Sequence, residues 1–220
     1  IEQFLRLEGM PEENRFIDFL GFKGITFRYS DWQQPKVDKT YEIPGFDRFD
    51  PSRVDMAATP QGAVHVPGAI YMEGGRFCTI ENCSVEHIGY YGIEIGDGCT
   101  GNRVVKNIIS DMGAGGVKLG GSSARGPVSR RTGNNTVTDN QICHGGHVFH
   151  SSCGIIATHS FGNDMSHNHI HDLYYIGISC GWVWGFADSV SKDNRIEKNH
   201  IHNLGHGVMS DLGGIYTLGV

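Results

Sequence analysis

Apolar and polar residues alternate along this chain in short runs, and the runs recur every 24 to 33 residues. Ile80/Asn82, Val137/Thr138, Ile196/Glu197 and Ile201/His202 carry the period-two pattern of a half-buried strand. Six stretches align on Ile25, Cys83, Asn107, Asn140, Asn168 and Asn199. Three positions earlier each has an apolar residue (Phe22, Ile80, Val104, Val137, Met165, Ile196), and two positions later another (Phe27, Val85, Ile109, Ile142, Ile170, Ile201). A second column follows: Gly92-Ile93, Gly116-Val117, Gly154-Ile155, Gly177-Ile178 and Gly214-Ile215. Repetition of this period predicts a stacked solenoid. Glycine, asparagine and aspartate at the breaks predict turns between short strands. No segment joins 3.6-residue spacing to helix caps, which excludes ankyrin, TPR and armadillo arrays.

The expected fold is all-β: a right-handed, single-stranded parallel β-helix of about six turns, forming one domain over 1–220. Stacked turns bring like residues about 4.8 Å apart, so inward asparagines can bond one another as an amide ladder. Residues beyond those one turn needs must loop out. The largest insertion is 30–67; others are 120–132, 144–152, 181–192 and 204–213. Several adjoin the glycine column, and these loops are expected to border one groove along the axis.

Thirty-two glycines without a Gly-X-Y period indicate tight corners rather than collagen. The net charge of −6, with no basic cluster beyond Arg130-Arg131, argues against a nucleic-acid partner. No apolar run is long enough for a membrane span, and no signal peptide is present. The chain opens inside Phe4-Leu5-Arg6-Leu7 and closes at Gly219-Val220, which reads as a fragment of a longer protein. The six cysteines form no C-x-x-C pair, so a zinc knuckle is not expected. Cys83 and Cys180 read as small core residues; Cys78/Cys99 and Cys143/Cys153 are open to disulfide pairing, which spacing does not decide.

Four residues past the asparagines stand His87, Asp111, His144, Asp172 and Asn203, a column that suits corner residues capping backbone N–H groups. Three residues before the glycines stand Gly89, Gly113, Ser151, Tyr174 and Asp211, where only Asp211 ionises below neutral pH. Asp172 and Asp211 fall on consecutive turns, within the range of carboxylate separations used in glycoside hydrolysis. They are the candidate catalytic pair, one as acid and the other as nucleophile or base. Asp188 is held in reserve. Trp182 and Trp184 in the 181–192 loop, with Tyr174, Tyr175 and Tyr216, offer flat faces for sugar rings. His171, His202 and His206 are placed to bond hydroxyls or tune a carboxylate. Glu94 and Lys118 read as a surface cross-strand ion pair. The rows His169/His171 and His200/His202 have metal-binding chemistry, yet surface histidine rows are commoner without metal, and no metal or cofactor is assigned.

The strings Asn168-His169-Ile170-His171-Asp172-Leu173-Tyr174-Tyr175-Ile176-Gly177, Gly181-Trp182-Val183-Trp184-Gly185 and Ser210-Asp211-Leu212-Gly213-Gly214-Ile215-Tyr216 resemble the β-helix proteins of glycoside hydrolase family 141 and their relatives. Gly24-Ile25-Thr26-Phe27, Asp31-Trp32 and Val66-Pro67-Gly68-Ala69-Ile70 resemble that group too. The resemblance implies a secreted or periplasmic bacterial enzyme acting on an oligo- or polysaccharide of the plant cell wall, xylan or fucose-containing pectin. It also implies catalysis by two aspartates, here Asp172 and Asp211. A polysaccharide lyase on the same scaffold would want a basic proton abstractor and usually an acidic calcium cluster; the aspartates here are dispersed. A carbohydrate-binding or adhesion solenoid without catalysis is the third reading.

Overall fold

The computed structural model describes residues 1–33 and 60–219. Most of the 30–67 insertion lies outside them. The chain coils through three parallel sheets in a fixed order. Sheet I has seven strands: Leu5–Glu8, Gly68–Glu73, Tyr91–Ile95, Val117–Gly120, Ile155–Thr158, Ile178–Gly181 and Ile215–Leu218. Sheet II has six: Gly21–Lys23, Thr79–Glu81, Arg103–Val105, Thr136–Thr138, Asp164–Ser166 and Arg195–Glu197. Sheet III also has six: Thr26–Arg28, Ser84–Ile88, Ile108–Met112, Gln141–Gly145, His169–Leu173 and His200–Leu204. Each strand pairs with its counterpart one turn away, as in Val104↔Val137 and Ile142↔Ile170. Six turns of parallel β-helix result, as the repeats predict.

The inward residues of each sheet stack into apolar columns. Ile93, Val117, Ile155 and Ile178 from sheet I meet Ile80, Val104, Val137 and Met165 from sheet II and Val85, Ile109, Ile142 and Ile170 from sheet III. All are buried, and their removal from water is the main favourable term. The six cysteines are buried and free, so neither conceivable disulfide forms. Cys83 and Cys180 do pack in the core.

Buried amides run through this apolar stack. Asn107 Nδ2 donates to Asn140 Oδ1 at 3.0 Å, Asn140 to Asn168 at 3.0 Å, and Asn168 to Asn199 at 3.1 Å. Each Oδ1 also accepts the backbone N–H of the residue one turn earlier, and each Nδ2 reaches a carbonyl of sheet II. A second ladder, not anticipated from the sequence, links Asn102, Asn135, Asn163 and Asn194. Its members sit five residues before those of the first, so the two ladders bracket sheet II. Cys78 and Cys83 stand in the two ladder positions of the turn before and donate their backbone N–H groups to Asn102 and Asn107.

Left-handed backbone explains two polar columns. Asn82, Lys106, Asp139, His167 and Lys198, just before the first ladder, have φ between 50° and 58°. His87, Asp111, His144, Asp172 and Asn203 have φ between 51° and 57° and are skipped in the pairing of sheet III. Asparagine, aspartate and histidine tolerate this conformation better than most residues. The glycine column has a different cause: close approach. A Cβ on Gly116 would lie 2.6 Å from the Gly154 carbonyl oxygen, and one on Gly154 2.7 Å from that of Gly177.

The end of the large insertion returns over the outer face of sheet I. Ala63, Val64 and Val66 pack there with Tyr91, Phe149, Ile156 and Trp182 as a second apolar cluster. Lys118 Nζ donates to the Val64 and Val66 carbonyls at 3.1 and 2.7 Å and meets Glu94 at 2.9 Å. The Glu94–Lys118 pair forms, but beneath this segment rather than on the surface, because both side chains have hydrogen-bond partners there. Among the described residues no helix is long and apolar enough to cross a membrane.

Replacing Asn140 by Ala strips two donors of Asn107 and the Val104 carbonyl of their buried partners. Urea unfolding should show a loss of about 3–5 kcal/mol. His65, half-buried on the same segment with Nδ1 unpartnered, is pushed down to about 4 by burial and by Lys118. Between about pH 6.5 and 4 the unfolded chain binds the extra proton, so stability falls as pH drops through that window. Comparing unfolding at pH 7 and 4 should show His65→Gln losing about 1–2 kcal/mol less than the parent, the value being reduced for partial exposure.

Candidate functional site

The insertions divide between two corners. Those at 30–67, 144–152 and 204–213 connect sheet III to sheet I, whereas 120–132 and 181–192 connect sheet I to sheet II. They therefore do not border a single groove, as the spacing suggested, but leave from opposite ends of the sheet I strands. A cleft of about 560 Å³ lies at the I-to-II corner, between Arg76, Ser129, Arg131, Phe161 and Lys192. None of its lining residues is acidic.

The III-to-I corner gathers the candidate aspartates. Asp172 is the left-handed residue next to the end of the sheet III strand His169–Leu173. His171 Nδ1 donates to its carboxylate at 2.6 Å. That bond, which outweighs the opposing effect of burial, holds the Asp172 carboxyl below the usual carboxylate range, helped by a second bond from the Asn203 side chain and by the nearby His144. The other ring nitrogen of His171 faces Gln141 Nε2 at 3.4 Å. With the amide donating, the imidazole carries its proton on Nδ1 and points it at Asp172. Asp172 is therefore a held, ionised group with its side chain about a quarter exposed (28%).

Asp211 lies in the loop after His200–Leu204, exposed and also left-handed, with φ 56°. Tyr175, three residues past Asp172, donates its hydroxyl to the Asp211 carbonyl at 3.1 Å and accepts from Gln61 Nε2 at 2.9 Å. This phenol ties the Asp211 loop to the turn that follows Asp172. Both carboxylates thus belong to one corner, and neither is covered by packed side chains.

Tyr174, two residues past Asp172, is half-buried in a nest of imidazoles. His150 stacks on it at 4.6 Å, and His206 and His147 lie at 5.0 and 5.9 Å. His147 and His150 were not singled out from the sequence, although the histidine-rich 144–152 loop carried the signal; their contact with Tyr174 spans a whole turn. Tyr216 points outward from sheet I, half-buried against the second apolar cluster.

The tryptophan loop behaves differently from expectation. Trp182 is 1% exposed, with Nε1 on Ser179 Oγ at 3.0 Å and its ring against Gly62. It anchors the returning insertion and has no face for a sugar. Trp184 is exposed at 41% but sits with Asp188 on the 181–192 loop, which springs from the other end of sheet I. Asp188, the reserve candidate, thus lies at a different corner from Asp172 and Asp211.

The outer face of sheet III carries the stacked histidines in the anticipated register, His169↔His200 and His171↔His202. Each pair stacks at 5.0 Å, with interplanar angles of 5° and 4°. His167 does not join them; it occupies the left-handed turn before the strand. Burial, followed by the charges of His171, His200 and His202, pushes the His169 imidazole down from its ordinary value. His202 turns to His169, Nε2 to Nε2 at 2.9 Å.

A solved structure named "Glycoside hydrolase" superimposes on the whole of this chain with a TM-score of 0.80 at 20% identity. The chain spans 40% of that protein's length. At that identity the likeness shows the fold alone. No curated protein matches the sequence. The family model described as "Right handed beta helix region" matches residues 68–217, the stretch that supplies every turn from the second strand of sheet I to the last. The chain belongs to the right-handed β-helix family.

Proposed function

We propose that the protein is a glycoside hydrolase acting on a plant cell-wall glycan, xylan or fucose-containing pectin, outside the bacterial cytoplasm. The observation that carries this reading is the III-to-I corner, where Asp172 is held ionised by His171 and Asp211 stands open across the Tyr175 tie. Two carboxyl groups flanking a glycosidic bond are the minimum such a reaction needs. Asp172 takes the role of nucleophile or of base on water. Asp211 delivers a proton to the glycosidic oxygen as the C–O bond breaks. Tyr174 and His206 line the same corner and offer a ring face and a hydrogen-bonding tip to the sugar. The neighbouring fold named "Glycoside hydrolase" and the resemblance to glycoside hydrolase family 141 support the substrate class.

A carbohydrate-binding solenoid without catalysis is the second reading. It is favoured by one observation: the left-handed column accounts for an aspartate at 172 without chemistry.

Asp172→Asn and Asp211→Asn, made in the natural full-length protein, should each lower release of reducing sugar from xylan or pectin fragments by at least about 100-fold. Circular dichroism should be unchanged. Retained turnover in both variants removes the two-carboxylate mechanism. Glycan binding without any release by the parent selects the binding solenoid, and an unsaturated uronate product selects a lyase.

A further inference from the structure

We propose that His169, His200 and His202 form a binding site for a divalent transition-metal ion on the outer face of sheet III. One ligand nitrogen from each ring lies within 4.8 Å of the other two. His169 Nε2 and His202 Nε2 are already 2.9 Å apart. An ion about 2.0–2.1 Å from each nitrogen needs N–N separations of about 2.9 Å at a right angle and about 3.3 Å at a tetrahedral one. Small χ rotations on an outward face cover that difference.

The backbone presets the three positions. His200 and His202 alternate on one strand, and His169 stands opposite His200 one turn before. No loop has to close to bring them together. His200 is exposed while His169 and His202 are half-buried, so a bound ion keeps a solvent-facing position for water or another ligand. His171 stacks on His202 at 5.0 Å with its own Nδ1 fixed on Asp172. It thus braces one ligand ring in the manner of an outer-shell partner. The donor set is three imidazoles, with no carboxylate and no thiolate among them. That set selects zinc, copper or nickel over magnesium or calcium. An ion here ties two successive turns of sheet III. The proposal does not depend on the hydrolase reading, since none of its three ligands is one of the proposed catalytic carboxylates.

The test is calorimetric titration of the metal-free full chain with ZnCl2, together with electron paramagnetic resonance of the Cu(II) form. One ion per chain and nitrogen hyperfine structure are expected. His200→Ala and His202→Ala should each weaken binding by about 10- to 100-fold or more, whereas His167→Ala, on the neighbouring turn, leaves it intact. His200→Gln serves if a truncation disturbs folding, as judged by circular dichroism. Zinc should also raise the melting temperature of the parent and not of His200→Ala. The proposal is overturned if the parent binds no zinc at about 100 µM, or if binding persists unchanged in both the His200 and His202 variants.

Discussion

Everything in this molecule depends on keeping successive turns in register at the spacing of paired strands, and two columns of buried asparagine enforce it. An amide inside an apolar stack is tolerated only when its oxygen and nitrogen are both answered. Here the answer comes from the next amide along the axis and from backbone groups on the adjoining turns. A slip of one residue would strand every rung at once, so the ladders penalise misregistered coils far more than the apolar columns do. Valine and isoleucine in the core accept one another in many arrangements; the amides accept one.

Much of this was legible in the amino-acid order. The apolar columns, the first ladder and the glycine column repeat on every turn, and periodicity reports such features directly. The second ladder was equally periodic, five residues upstream, but Asn102, Asn135, Asn163 and Asn194 sit among turn residues, where asparagine needs no special explanation. The corners were harder. Spacing shows that an insertion occurs on a turn, but not which end of a four-residue strand it leaves from. The 181–192 loop was therefore grouped with loops it does not meet, and Trp182 was given a binding face that lies under Gly62.

The candidate site shows the same division. Asp172 and Asp211 share a corner because one lies near the end of a sheet III strand and the other follows the next such strand, a relation the repeat already contains. The forces that set their surroundings come from outside the repeat: the His171 bond that keeps Asp172 charged, the Tyr175 tether, and the two imidazoles from the preceding loop around Tyr174. These contacts join residues from different turns and different loops, with no fixed offset to betray them.

The left-handed residue at the outer end of each sheet III strand has a consequence for how such a scaffold acquires chemistry. Backbone geometry favours histidine, aspartate or asparagine there on five successive coils. A row of ionisable side chains is thus laid along one rim before any substrate is involved. Turning one of them into a working group disturbs no core packing, and lengthening the adjacent loop supplies its neighbours. Solenoids built this way can move an active rim up or down the axis by single substitutions while the interior stays as it was.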